Sequence, residues 1–344
     1  MGMKLSELGE FGLIERIQAR FRTPDGVTGI GDDCAVLPQN TGRNTLVSTD
    51  MLVEGTHFLR NDIPPYDLGW KSAAVNLSDV AAMGGKPTGT FLSLALPADL
   101  DTDWIDAFMH GYADLSERFG TPLLGGDTTA SPDRICINVT VLGECPYARA
   151  RLRNAAQKGD VICVTGPLGD SAAGLKAILD GVERDLEIQR LIDRHYRPIP
   201  RVREGEELRL NLGVHAMMDI SDGLASDLNH ILNASEVGAQ INVADIPMSI
   251  ALKHCCQRFG WDPLELAVSG GEDYELLFTC TPQAEALLTL PHFVIGRITP
   301  STGHSSLSSG TNSSFAGLTG ESRITWLGTS SPLAPGFDHF KKVK

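Results

Sequence analysis

Apolar positions recur along this chain with the two periods of helix and strand. Residues 8–21 place Leu13, Ile14, Ile17 and Phe21 on one face, as an amphipathic helix does. Residues 45–53 read as a strand, carrying the extended run Leu46-Val47-Ser48-Thr49-Asp50. Residues 67–83 predict a helix that stops at Gly84-Gly85, a helix C-terminal signal. A short apolar strand over 90–96 ends at Pro97, and a second helix over 103–119 stops at Gly120. Strands follow at 122–124 and 135–142. Cys145-Pro146 then closes this series, and the stretch 149–158 is polar and basic. That change of character divides the chain into an N-terminal domain over 1–148 and a C-terminal domain over 149–344.

The second half opens with a strand over 161–165 and continues in the same alternating manner. Helices are predicted from about 170, near 184–195, near 201–212 and over 222–234. Strands are predicted at 215–218, 240–243, 276–280 and 293–295. Such alternation argues for an α/β or mixed α+β fold. Residues 301–322 are rich in Ser, Gly and Thr and read as a surface loop.

Composition narrows the function. Of 344 residues, 42% are apolar and 21% charged, the balance of a soluble globular chain with room for two cores. The net charge of −14 and the lack of a Lys/Arg cluster argue against a nucleic-acid partner. An acidic protein that handles anionic substrates must bring cations with it. The seven cysteines are odd in number and show no CxxC spacing, which suits a reducing, cytoplasmic compartment better than a disulfide framework or a zinc site. No apolar run approaches the roughly 18 residues of a membrane span. The N-terminus, with Glu7 and Glu10, lacks a signal-peptide core.

The candidate chemistry lies in acids placed at strand ends and turns. Asp32-Asp33 follow Gly31, Asp50 ends the apolar run at 46–50, and Asp79 lies late in an apolar helix segment. Gly125-Gly126-Asp127-Thr128-Thr129 follows a short strand. Met218-Asp219-Ile220-Ser221-Asp222-Gly223 joins a strand to a helix, and Ser269-Gly270-Gly271-Glu272-Asp273-Tyr274 precedes another strand. Hard oxygen ligands of this kind suit Mg²⁺, which bridges carboxylates to phosphates. Most of these motifs have an ordinary alternative, and Asp79 would pass for a solvent-facing acid on its helix. Asp32-Asp33 and the Gly-Gly-Asp segment would each pass for a turn. Ser221 or Asp222 would serve as the N-cap of the helix that follows. Asp50 and Asp219 have no such excuse, because an acid at the end of a buried strand is costly unless paired. Two glycines before Asp127 would let the backbone approach a phosphate closely. The EF-hand spacing, the Walker pattern and Gly-x-Gly-x-x-Gly are all absent, and no Ser–His–Asp arrangement suggests itself.

Taken in order, these residues resemble one family. The resemblance runs from Leu8-Gly9-Glu10-Phe11-Gly12 through Gly31-Asp32-Asp33, Thr49-Asp50, Glu54-Gly55-Thr56-His57-Phe58, Gly69-Trp70-Lys71, Asn76-Leu77-Ser78-Asp79, Gly125-Gly126-Asp127-Thr128, Asp219-Ile220-Ser221-Asp222-Gly223 and Gly271-Glu272-Asp273-Tyr274 to Gly336-Phe337. The chain is similar to the thiamine-monophosphate kinases of the aminoimidazole-ribonucleotide-synthetase-like superfamily. The resemblance implies a two-domain PurM-like fold, a homodimer joined through the N-terminal sheets, and Mg²⁺-dependent transfer of the γ-phosphoryl group of ATP to thiamine monophosphate. It implies several Mg²⁺ ions held by Asp33, Ser48, Thr49, Asp50, Asp79, Asp127, Asp219 and Asp222. ATP would meet Met109, Gly126, Asp127, Arg153 and Ser221. Thiamine monophosphate would meet His57, Glu272 and Phe337, the last standing where the family can have Trp. Sister ATP-dependent synthetases share the doubled acids and remain alternatives, as does a non-catalytic nucleotide- or metal-binding regulator. Among the sisters, selenophosphate synthetase usually has a reactive Cys near its N-terminus, whereas the first cysteine here is Cys34.

Overall fold

The strand predicted over 45–53 becomes the second strand of a five-stranded sheet. In the computed structural model, residues 24–39, 42–301 and 323–329, with 12–14 and 18, are described. Residues 12–14 and 18 are helical, and the rest of the predicted first helix lies outside the described residues. The chain runs through β1 (Ala35–Pro38), β2 (Arg43–Val53), α1 (Pro65–Ala82), β3 (Lys86–Pro97), α2 (Thr102–Phe119), β4 (Leu123–Ser131) and β5 (Cys136–Pro146). The sheet order is β1-β2-β5-β3-β4. All pairs are antiparallel except β3–β4, which α2 connects as a parallel crossover.

Alternation sorts the residues of β2 between two faces. Leu46 and Leu52 are buried, whereas Thr49 and Met51 are exposed. Ser48 and Asp50 therefore project with the buried set. α1 and α2 cross very closely: a Cβ at Gly69 would lie 1.9 Å from the Phe108 carbonyl oxygen, and one at Gly111 1.8 Å from that of Tyr66. α1 is buried nearly all round, from Leu68 to Ala82. That pattern marks a helix enclosed by protein, not one lying on a surface.

The second half contains β6 (Val161–Val164), α3 (Asp170–Leu179), α4 (Leu186–Tyr196), α5 (Val202–Leu210), β7 (Val214–Asp219), α6 (Leu224–Ala234), β8 (Gly238–Asn242), α7 (Ile250–Phe259), α8 (Pro263–Ser269), β9 (Leu276–Cys280), β10 (Phe293–Thr299) and β11 (Ile324–Leu327). Its six-stranded sheet has the order β11-β8-β10-β6-β9-β7, and only β11–β8 is parallel. The fold is thus mixed α/β with two largely antiparallel sheets. Leu46, Leu77, Val80 and Val141 of the first half share one buried cluster with Val202, Met217 and Phe278 of the second. α1 lies at this seam. Trp70 Nε1 donates to the Pro198 carbonyl at 2.9 Å, and Tyr196 Oη donates to that of Asp62 at 2.7 Å.

Candidate active site

The seam gathers the acids. Asp33 follows the Gly31 turn, Asp79 lies in the last turn of α1, and Asp219 ends β7. One carboxylate oxygen of each lies within 4.8 Å of the others. Ser48 Oγ donates to Asp79 at 2.5 Å, and Ser78 Oγ donates to Asp219. The Asp50 backbone N–H donates to Asn76 Oδ1 at 3.2 Å, tying the strand end to α1. Burial first, and neighbouring carboxylates second, push the Asp79 carboxyl well above its ordinary value. The same causes raise Asp219 to about 7 and Asp50 to about 6. So many crowded carboxylates cannot all ionise without a cation between them, and the oxygen-only donor set fits Mg²⁺.

Arg153 is the fixed cation beside this group. Its guanidinium grips Asp33 through Nη2 at 2.7 Å and Nε at 3.2 Å, and its backbone N–H donates to Asp32 at 3.2 Å. Burial and Asp33 still raise Asp32 to about 7. The adjacent Cys34 is buried, and burial together with Asp79 pushes its thiol well above the usual value. It is therefore a poor nucleophile, which weighs against a synthetase that depends on a reactive cysteine.

A cavity of about 680 Å³ opens from the acids. Its lining includes the acids Asp50, Asp79, Asp219 and Asp222, the polar His57 and Glu272, and the apolar Leu52, Phe58 and Ile63. His57 is held in the turn after β2, where its Nδ1 accepts the Val53 N–H at 2.9 Å. The Asp219–Gly223 loop is fixed from below by Asp227 of α6. One oxygen of Asp227 accepts the N–H groups of Ser221, Asp222 and Gly223, each at 3.1 Å. Neither Ser221 nor Asp222 caps α6. Its N-cap is Gly223, with no side-chain cap bond.

The residues named from sequence divide by position. Asp33, Ser48, Asp79, Asp219 and Arg153 are joined by the contacts above, and Asp50, His57, Ser221, Asp222 and Glu272 line the adjoining cavity. The Thr49 side chain lies on the other face of the first sheet, where its hydroxyl donates to the Val139 carbonyl at 3.1 Å. Asp127 is on that face too: it pairs in register with Ser93, Ser93 with Asn138, and Asn138 with Met51. The Gly-Gly-Asp segment is not a turn but the middle of the exposed edge strand β4. A Cβ at Gly126 would meet the Leu92 carbonyl oxygen at 1.7 Å, so parallel pairing with β3 requires glycine there. Met109 lies on α2, partly buried against the core. Phe337 and the 302–322 part of the Ser-rich loop lie outside the described residues. Asp227 and His195 went unnamed in the sequence, and Lys71, quoted only within Gly69-Trp70-Lys71, was given no role. An acid or lysine inside an apolar helical run is the signal that Asp227 and Lys71 carry.

Comparison with known proteins agrees with this architecture. The family profile "AIR synthase related protein, N-terminal domain" matches residues 31–145, and "AIR synthase related protein, C-terminal domain" matches 157–307. The chain is an AIR synthase related protein. It is 37% identical over 352 residues to the thiamine-monophosphate kinase of Haemophilus influenzae, covering 98% of this chain and 99% of that protein. It is 46% identical over 277 residues to that of Escherichia coli O157:H7, covering 79% and 82%. A solved structure described as "AaThiL complexed with AMPPCP and TMP" superposes with a TM-score of 0.85 at 35% identity, covering 98% of this chain and 99% of that one. The thiamine monophosphate kinase of Aquifex aeolicus superposes with a TM-score of 0.77 at 36% identity, covering 86% and 96%. Within its class, this chain belongs to the thiamine-monophosphate kinase family.

Proposed function

We propose that this protein transfers the γ-phosphoryl group of ATP to thiamine monophosphate, giving thiamine diphosphate and ADP. One observation carries the reading: three carboxylates converge within 4.8 Å, and two of them, Asp79 and Asp219, line a cavity whose other lining residues include both acids and apolar side chains. A relative of the same fold is described with an ATP analogue and TMP. Donor and acceptor are both strongly anionic. Each pair of unit charges near 4 Å repels by about 4 kcal/mol at an effective dielectric of 20, and several such pairs must be brought together.

We assign Mg²⁺ to Asp33, Ser48, Asp50, Asp79, Asp219 and Asp222; Thr49 and Asp127, which family likeness also implies as ligands, project from the opposite face of the sheet and are left out of this set. When bound, the ions supply charge neutralisation and polarise the transferred phosphoryl group. The chain's own residues do the rest. Arg153 gives fixed positive charge for ATP. Asp227 holds the Asp219–Gly223 loop so that Ser221 faces the cavity. His57 and Glu272 contact the acceptor, with Phe337 as its stacking partner, and Leu52, Phe58 and Ile63 exclude water. No general base is required, since a phosphomonoester has its second pKa near about 6 and its oxygen is largely ionised at pH 7. Incubation with ATP, Mg²⁺ and thiamine monophosphate should yield thiamine diphosphate and ADP, and a failure to form either would overturn the assignment.

We place a homodimer contact on the open face of the first sheet, where Met51, Phe91 and Leu124 are exposed. Light scattering that gave a monomer's mass at assay concentration would exclude it. The division at 148/149 and a cytoplasmic location complete the reading. All seven cysteines are free, as a reducing compartment requires, and no described helix is long and apolar enough to cross a membrane. Limited proteolysis and cell fractionation test these two points.

A further inference from the structure

Lys71 has no part in the roles assigned above, yet it is among the most deeply buried side chains of the fold. It sits on α1, two turns before Asp79, with its side chain 1% exposed. An ammonium that deep is costly unless a counter-charge reaches it. The counter-charge comes from the other half of the chain: Glu272 Oε1 lies 2.8 Å from Lys71 Nζ. Beyond that ion pair, Nζ has no hydrogen-bond partner among the described residues. The second oxygen of Glu272 lies 3.3 Å from His195 Nδ1, and that nitrogen is 3.0 Å from Ser171 Oγ. The carboxylate is therefore held from α1 on one side and α4 on the other.

The backbone is held as well. Glu272 has φ +63°, a left-handed conformation that side chains other than glycine rarely adopt. Its N–H donates to the Ser221 carbonyl at 2.7 Å, and the Tyr274 N–H to that of Ile220 at 2.9 Å. The strained residue is thus pinned to the loop that bears Asp219 and Asp222. Burial pushes the Glu272 carboxyl up, but Lys71, with His195 and His57 behind it, outweighs burial and keeps the group below the ordinary glutamate value. Burial, and then Lys71, push His195 down to about 3. At neutral pH this is an anion between a cation and a neutral imidazole, one quarter exposed to the cavity.

We propose that Lys71 is a positioning residue for the acceptor: with His195 as second support, it fixes the Glu272 carboxylate where the amine-bearing pyrimidine of thiamine monophosphate, the end away from its phosphate, docks. The inference rests on the acceptor assigned above and adds the device that aims its recognition group. It also makes acceptor recognition depend on both halves being in register, since Lys71 and Glu272 come from opposite sides of the seam.

Steady-state kinetics on the full chain, with both substrates varied, tests this. Lys71→Met should raise KM for thiamine monophosphate at least about ten-fold, while KM for ATP and kcat stay within about three-fold. Glu272→Gln should raise the same KM, and the double variant should be no worse than Glu272→Gln alone, because coupled partners are not additive. A merely structural Lys71 would move both KM values and kcat together, and additive losses or an unchanged KM would likewise overturn the proposal. Should Lys71→Met not fold, His195→Asn carries the test: a selective rise of about three-fold or more supports it, and wild-type KM values defeat it. If wild type does not turn over thiamine monophosphate, the acceptor assignment fails on its own, and calorimetric binding of that compound to wild type and Lys71→Met still reads the role of Lys71. No binding to wild type defeats both.

Discussion

Single residues at this site can be read by asking what each buried charge is doing there. Asp79 and Asp219 stand out in the sequence because an acid in apolar surroundings needs a reason, and the structure brings both into one cluster with Asp33. Lys71 and Asp227 meet the same criterion but their partners, Glu272 and the 221–223 backbone, become evident only after folding. The side of the sheet on which Thr49 projects was implicit in the two-residue period of β2, which separates it from Ser48 and Asp50. Two outcomes follow at this scale. Asp79→Asn and Asp50→Asn should each lower kcat by about 100-fold or more at saturating Mg²⁺ while the fold is kept; near-normal turnover in either would remove it from the metal ligands. Because the folded Asp79 carboxyl is raised well above its unfolded value, the stability it contributes is full at low pH and lost as pH rises through the folded value. In chelator, Asp79→Asn should therefore melt higher than wild type at pH 8, with a gain that shrinks toward pH 4. His195 has the opposite sign. Its folded pKa of about 3 lies below the unfolded 6.5, so its contribution is full above pH 6.5 and lost as pH falls toward 3. Urea unfolding between pH 7 and 5 should cost wild type about 2 kcal/mol more than His195→Asn; parallel pH profiles would show that the imidazole is not held neutral.

Elements with a strong period and clear stop signals were the legible ones. α1, α2, β2, β7 and β9 fall within a few residues of their expected bounds, because Gly84-Gly85, Gly120 and the apolar runs leave little choice. β4 was not legible past its first residues. Gly125-Gly126-Asp127 has the composition of a turn, and what makes it a strand is a non-local demand, the 1.7 Å approach that a Cβ at Gly126 would make to the Leu92 carbonyl. α7 was also missed, although Leu252, Cys255, Cys256 and Phe259 recur with the helical spacing i, i+3, i+4 and i+7 and Ser249 supplies its N-cap. The crossing of α1 and α2 is the element on which the site depends most, because α1 carries both Lys71 and Asp79. Gly111→Ala would place a methyl 1.8 Å from the Tyr66 carbonyl oxygen, where backbone and not a flexible side chain must yield. Overpacking of this kind costs about 1–3 kcal/mol. The variant should unfold at lower denaturant and lose turnover in parallel, as the far end of α1 shifts. Unchanged stability would mean that the two helices part without strain.

At the scale of the whole molecule, two sheets meet around one helix, and the reacting groups come from both. That arrangement bears on the choice of acceptor. Free thiamine offers a hydroxyl, whose proton must be taken as the phosphoryl group arrives, and a positioned base is worth about 10²- to 10⁴-fold in such a step. Among the described residues, two imidazoles line the cavity, and both are engaged: His57 Nδ1 accepts the Val53 N–H, while His195 stands between Ser171 and Glu272. The carboxylates Asp33, Asp79 and Asp219 crowd one another at the seam, where cations would claim their oxygens. A phosphate acceptor avoids the difficulty, because its oxygen arrives already ionised and needs only charge compensation. Thiamine monophosphate should therefore be phosphorylated by direct in-line transfer, with a kcat/KM at least about 100-fold above that of thiamine. Separating the products after incubation with ATP, Mg²⁺ and each acceptor measures the ratio. Comparable rates on thiamine, or a stable phosphorylated protein, would mean that a base or nucleophile operates in this cavity and that the charge-neutralisation account is wrong.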